Sequence, residues 1–123
     1  MRLLKTAAIG LFVISGSVAA GDCTDPDVPT IPDGASSSME QMITAQKSVK
    51  AFQAANIEYM ECVEVNLSAA GASLKQSTGD DKAAAQATFD ELEAAYNAAV
   101  SAEEEAAGQF NAAIREYKDA NPG

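Results

Sequence analysis

Two cysteines and eighteen acidic side chains are the residues of this chain that could do chemistry. The chain has no histidine, which removes the commonest general base and metal ligand, and two cysteines cannot form a tetrahedral zinc site unaided. Cys23 and Cys62 lie too far apart in sequence for a Cys-x-x-Cys redox motif. They form the only intramolecular pair available in an oxidising compartment, so we predict a structural disulfide between them.

The acidic residues do not form a recognisable site. They cluster at Glu103–Glu105, at Asp80 with Asp81, and at Asp22, Asp25, Asp27 and Asp33. Consecutive acids on a helix point in different directions, and the N-terminal group lacks the spacing of a calcium loop. No phosphate-binding loop or nucleophile elbow is present in the sequence. We therefore predict no enzymatic activity, no cofactor and no catalytic residue, with weak divalent-cation binding as an alternative.

The first twenty residues have the pattern of a secretory signal peptide. Arg2 and Lys5 precede an apolar run over residues 7–18, and small residues follow at 18–20. A membrane anchor is the alternative, but it needs roughly 20 apolar residues and this run is shorter. Cleavage would leave a periplasmic or secreted protein that begins near Gly21 and has no stable membrane anchor.

The charge of the processed chain excludes some partners. Without Arg2 and Lys5, the chain keeps six of its eight basic residues and all 18 acidic ones, which gives a net charge of −12. Such a surface repels nucleic acid and anionic lipid. The remaining 103 residues are near the lower limit for a self-sufficient core, so we expect a covalent staple or a partner.

Residues 21–36 form a proline-rich segment in which prolines recur at every third residue from Pro26 to Pro32. Three residues per turn is the period of polyproline II. The prolines then occupy one face, Val28 and Ile31 a second, and polar residues the third. Composition alone favours a flexible tail. The segregated faces and the cysteine near one end instead favour an extended strut, by which we mean residues 21–36.

Residues 37–118 have the pattern of an all-α, long antiparallel two-helix hairpin. A capping-box sequence at Ser37 predicts a first helix over about 37–70. Glycine, serine and threonine then interrupt the pattern, and a second, alanine-rich helix is predicted over about 80–118, followed by a tail over 119–123.

Heptad spacing predicts which helix faces meet. On the first helix the core-facing residues are Met42, Ala45, Val49, Phe52, Asn56, Tyr59 and Val63. On the second helix they form a mostly alanine row and a bulky row: Ala85, Leu92, Ala99, Ala106, Ala113 and Ala120, and Phe89, Tyr96, Glu103, Phe110 and Tyr117. An antiparallel fold pairs positions whose numbers add up to about 152, so aromatic residues meet small ones. Asn56 then lies opposite Tyr96, where a buried polar residue fixes the register.

One flank of the predicted hairpin has small side chains on both helices. This small-residue groove consists of Ser48, Ala55, Cys62, Thr88, Ala95 and Ala102. The chain from Ser37 back to Cys23 spans about 43 Å as polyproline II, and Ser37 to Cys62 spans about 38 Å as an α-helix. Because these lengths match, we expect the strut to lie in the groove, antiparallel to the first helix, with the disulfide at its far end.

The other flank is apolar where a monomer should be polar. This apolar flank consists of Met39, Ile43, Ile57, Met60, Leu67, Val100, Ala107 and Ile114. It is either a wide core face on a curved hairpin or a surface for a second copy or another helix. We interpret it as a candidate partner-binding surface.

Two short patterns carry a resemblance to known proteins. Residues 29–34 end in Pro-Asp-Gly, and Val49-Lys50-Ala51-Phe52 leads to Tyr59-x-x-Cys62. In these features the chain resembles a group of small secreted proteobacterial proteins of unknown function. The resemblance covers about a third of the chain and implies no activity.

These features predict an exported, non-enzymatic helical protein that acts by protein–protein interaction. It would either associate with itself as a homodimer or serve as an adaptor for another envelope protein. One alternative is a periplasmic holdase-type chaperone that binds unfolded clients on the same flank, and the other is the weak divalent-cation binder.

Overall fold

The structure is a computed structural model that describes residues 22–123. A short 3₁₀ helix, Gly34–Ser36, precedes two long helices, α1 (Met39–Gln76) and α2 (Gly79–Ala120), which pack against each other. No strand occurs within the described residues. The predicted antiparallel two-helix hairpin is therefore confirmed, whereas the predicted signal peptide, residues 1–20, lies outside the described residues.

Helix α1 begins two residues later than predicted. Ser38, not Ser37, is its N-cap: the Ser38 hydroxyl accepts from the Gln41 amide at 3.2 Å, and the Ser38 amide donates to Gln41 Oε1 at 2.8 Å. Ser37 belongs to the preceding turn because its hydroxyl donates to the Asp33 carbonyl at 2.6 Å. The capping box exists, but it is shifted by one along a run of three serines.

The predicted end of α1 at residue 70 is wrong, because the helix continues through Gly71 to Gln76. Glycine inside a helix costs only about 1 kcal/mol relative to alanine. Buried Ala70 and the ring of Phe89, 3.6 Å from where a Gly71 Cβ would lie, provide the compensating packing. The connection to α2 is thus two residues long, and Gly79 supplies the positive φ of 61° at its end.

The second helix is longer than predicted at both ends. It begins at Gly79 and ends at Ala120, rather than spanning about 80–118. The Asn121 amide and its side-chain Nδ2 both donate to the Tyr117 carbonyl at 2.9 Å, which satisfies the last turn.

The core follows the predicted heptad rows. All seven predicted α1 residues are buried, as are four of the α2 alanine row: Leu92, Ala99, Ala106 and Ala113. The bulky α2 row is only half-buried. Alanines therefore lie at the centre of the contact, where they allow the two backbones to approach closely, and the aromatic side chains lie to one side.

Asn56 fixes the register differently from the prediction. Its Nδ2 donates to the main-chain carbonyl of Ala99 at 2.9 Å, three residues along α2 from Tyr96, the residue predicted to lie opposite. Only 1% of Asn56 is exposed, so the lost hydration of its amide must be replaced by such a bond. A backbone acceptor specifies one position along α2, whatever side chain occupies it.

The strut lies along α1 as predicted. Cys23 is bonded to Cys62 with a Cα–Cα distance of 5.6 Å, and Pro26 borders the same hollow as Ala55. Nearer the start of α1, Pro32 borders a hollow with Ser48. The extended segment therefore runs antiparallel to α1, beside the α1 members of the small-residue groove. Its prolines are half-buried, but Val28 is exposed, so the second apolar face of the strut is not packed throughout.

The strut ends against α2, a contact that the sequence analysis did not predict. The 3₁₀ helix packs on α2, and a Cβ added to Gly34 would overlap the Ala113 carbonyl group. Asp33 caps this turn by accepting from the Ala35 amide at 3.2 Å and the Ser36 hydroxyl at 3.1 Å. The strut thus ties α1, through the disulfide, to α2, through Gly34.

Candidate functional site

The residues of the apolar flank differ in how far they are exposed. Met39 is 63% exposed, Ile43 45% and Ile57 47%. The remaining five are half-buried: Met60, Leu67, Val100, Ala107 and Ile114. The flank therefore combines side chains that support the core with side chains that face water.

The structure brings three of these residues together at the open end of the hairpin. Met39, Ile43 and Ile114 line a shallow hollow of about 170 Å³ with the rings of Phe110 and Tyr117. Helix α1 supplies one wall and the last turns of α2 the other. Ile43 also borders the hollow next to Pro32, so it lies at the edge of the flank.

A second hollow continues along the flank toward the middle of the hairpin. It has a volume of about 250 Å³ and contains Ala107 and the ring of Phe110. Its rim includes the polar side chains of Lys50, Gln53 and Asn111, which the sequence analysis did not select. Lys50 lies seven residues from both Ile43 and Ile57 on the same helix face, but its place beside Asn111 depends on how the two helices pack.

Nearer the turn, the flank merges with the core. Met60 and Leu67 pack against a buried cluster that includes Tyr59, Val63 and Leu92. From Met39 to Leu67 the helix rises about 42 Å, so these residues cannot surround one small ligand. The apolar flank is therefore a long stripe and not a single pocket.

At the disulfide end of the strut, buried Tyr59 lies beside exposed acidic residues. Tyr59 is 4% exposed and borders a hollow of about 320 Å³ with Asp22, Cys23 and Glu58. Burial raises the pKa of the Tyr59 phenol above its ordinary value, and the negative charge of Asp25 raises it further. Asn66 donates to Cys23 Sγ at 3.3 Å.

The two cysteines of this region are bonded to each other, and no other cysteine occurs in the sequence. Within residues 22–123, no three acidic or cysteine side chains are close enough to hold a metal ion. The disulfide links the strut covalently to α1.

Comparison with protein-family models, with curated proteins and with solved structures finds no match to this chain. The resemblance to small secreted proteobacterial proteins thus stays a prediction. Neither long helix, across the part of the chain that the structure describes, has a stretch apolar enough to cross a membrane.

Proposed function

We propose that the protein is an exported, non-enzymatic binding protein whose apolar flank docks another helical protein surface. The observation that carries this proposal is that the two flanks differ in whether another part of the chain packs on them. The chain packs its strut beside Ala55 and Cys62 of the small-residue groove, but it leaves Met39, Ile43 and Ile57 in water.

Isolated apolar residues on a surface need no explanation, and Val28 and Val65 are of that kind. The apolar flank differs because its eight members recur along one side of both helices. Half-buried Met60 and Leu67 serve the core, which accounts for part of the stripe. The exposed members do not, and each would gain free energy on transfer from water at about 25 cal/mol per Å² of apolar surface.

Two features support export. The chain begins with a signal-peptide pattern, and Cys23 is disulfide-bonded to Cys62, a bond that persists in oxidising compartments. Fractionation of the native cell followed by N-terminal sequencing tests this part of the proposal. We expect a chain that begins near Gly21, and a cytoplasmic chain that retains Met1 would contradict export.

The binding role is tested by site-specific photo-cross-linking in the native cell. A photoreactive residue at position 57 should capture one defined protein at a fixed stoichiometry. The matched control is position 65, because Val65 is also an exposed apolar residue of α1 but lies outside the apolar flank. Equal capture at 57 and 65 would contradict the proposal. Capture of many unrelated unfolded proteins at position 57 would instead favour the holdase.

A further inference from the structure

We infer that the occupant of the apolar flank is a second copy of this chain, packed face to face and antiparallel about a two-fold axis near Ile57. This inference rests on the proposed binding role of the flank and specifies its partner. It is carried by the order of charges along the outer edge of α1 and by the size of the flank.

The outer edge of α1 is a heptad row of four exposed residues: Ile43, Lys50, Ile57 and Glu64. Lys50 and Glu64 lie on either side of Ile57, each at a distance of about 10.5 Å along the helix. A two-fold axis through Ile57 that reverses the helix direction therefore sets Lys50 of each copy opposite Glu64 of the other. Two oppositely charged pairs then flank a central apolar contact.

A parallel face-to-face arrangement would stack α1 of one copy on α2 of the other at matching heights. Because Asn56 lies beside Ala99, Lys50 would then fall near Glu103, but Glu64 would fall near Asp90 and Glu93. Of the two arrangements, only the antiparallel one gives both charged residues on the outer edge of α1 a partner of opposite charge.

The overall charge of the chain does not prevent this contact. At physiological ionic strength the Debye length is about 8 Å, so repulsion between the distant acidic surfaces of two copies is largely screened. Pairs in direct contact, such as Lys50 with Glu64, are screened less. The local arrangement of charge therefore decides the orientation.

The flank is large enough for a stable dimer. It is about 42 Å long, and two helices packed 8–10 Å apart make it about 18 Å wide, which gives roughly 750 Å² per copy. Specific interfaces bury about 800 Å² per partner.

Charge reversal tests this arrangement. Lys50→Glu and Glu64→Lys should each weaken self-association at least tenfold, measured by sedimentation velocity over a range of concentrations, because each creates two like-charge contacts. An equimolar mixture of the two variants should recover the wild-type affinity as a heterodimer. The double variant in one chain should also recover it. Lys47→Glu is the matched control, since Lys47 is an exposed lysine of α1 that borders the strut side.

The outcomes separate this inference from the proposed function. A wild-type chain that stays monomeric at several hundred micromolar would overturn the second copy as partner, whereas capture of a different protein from position 57 would still uphold the binding role. Loss of association in both single variants without recovery in the mixture would overturn the antiparallel arrangement. Circular dichroism should show unchanged helix content in all variants, since every substituted residue is exposed.

Discussion

The two flanks of the hairpin are formed by the same pair of helices but are completed in different ways. The small-residue groove accepts the backbone of the strut, which is held by a covalent bond at one end and by the contact of Gly34 with Ala113 at the other. The apolar flank carries larger side chains, and the strut reaches it at its edge, where Pro32 and Ile43 border one hollow. Small side chains let a permanent segment approach closely, whereas the large, half-exposed side chains form the surface that we propose binds a partner.

The largest expected effect comes from removing the disulfide. Replacing Cys23 and Cys62 together by serine should lower the free energy of unfolding by about 4 kcal/mol, because the bond closes a loop of 39 residues that the unfolded chain would otherwise explore freely. Urea denaturation of the wild type and the variant measures this difference. Reduction of the wild type is the matched control and should give the same value. An unchanged urea midpoint would mean that the disulfide between the strut and α1 does not stabilise the fold.

Gly34 tests the other attachment of the strut. Gly34→Ala should lower the free energy of unfolding by about 1–3 kcal/mol, since its Cβ would overlap the Ala113 carbonyl group and force the 3₁₀ helix away from α2. The control substitution, Gly108→Ala, should change the free energy of unfolding in the opposite direction. Gly108 lies inside α2 with no atom within 4 Å of an added Cβ, so Gly108→Ala should stabilise the helix by about 1 kcal/mol. Two equal destabilisations would contradict the close contact at Gly34.

The difference between these two glycines shows what the sequence could and could not predict. Heptad spacing predicted the buried residues of α1 because one helix face must leave water. The cysteine count predicted the disulfide, and the matching lengths of strut and helix predicted that the strut lies along α1. The contact of Gly34 with Ala113 was missed, because a close approach between two backbones leaves no periodic signal in one sequence.

Other differences have similar causes. The predicted end of α1 lies six residues too early because Gly71 is a usual helix-ending residue. In the structure, the packing of Ala70 and Phe89 stabilises the helix beyond Gly71. Asn56 was recognised as a buried polar residue, but its acceptor is a main-chain carbonyl, which every residue possesses. Within the candidate site, the eight apolar positions were selected by spacing. The polar rim at Lys50, Gln53 and Asn111 depends on how the two helices are placed beside each other.

Ile57 should separate binding from folding. Because its side chain is about half exposed and lies outside the buried cluster, Ile57→Ser should change the free energy of unfolding by only about 0.5 kcal/mol. The same variant should weaken self-association strongly, as measured by sedimentation velocity. Val65→Ser is the control and should leave both quantities unchanged. A large loss of stability in Ile57→Ser would indicate that the apolar flank belongs to the core of the monomer.

The smallest effect concerns Tyr59 on the covered side. Burial, with a lesser contribution from Asp25, raises the pKa of this phenol. In a titration followed by tyrosinate absorbance, the step that belongs to Tyr59 is the one that Tyr59→Phe removes. This step should lie above about pH 10. Since the folded-state pKa exceeds the unfolded one, this contribution to stability is complete below about pH 10 and is lost as the pH rises through the folded value. Removing the disulfide should move the step back toward the ordinary value further than Asp25→Asn does, because burial is the larger cause. A step at the ordinary value in the wild type would mean that the strut does not exclude water from Tyr59.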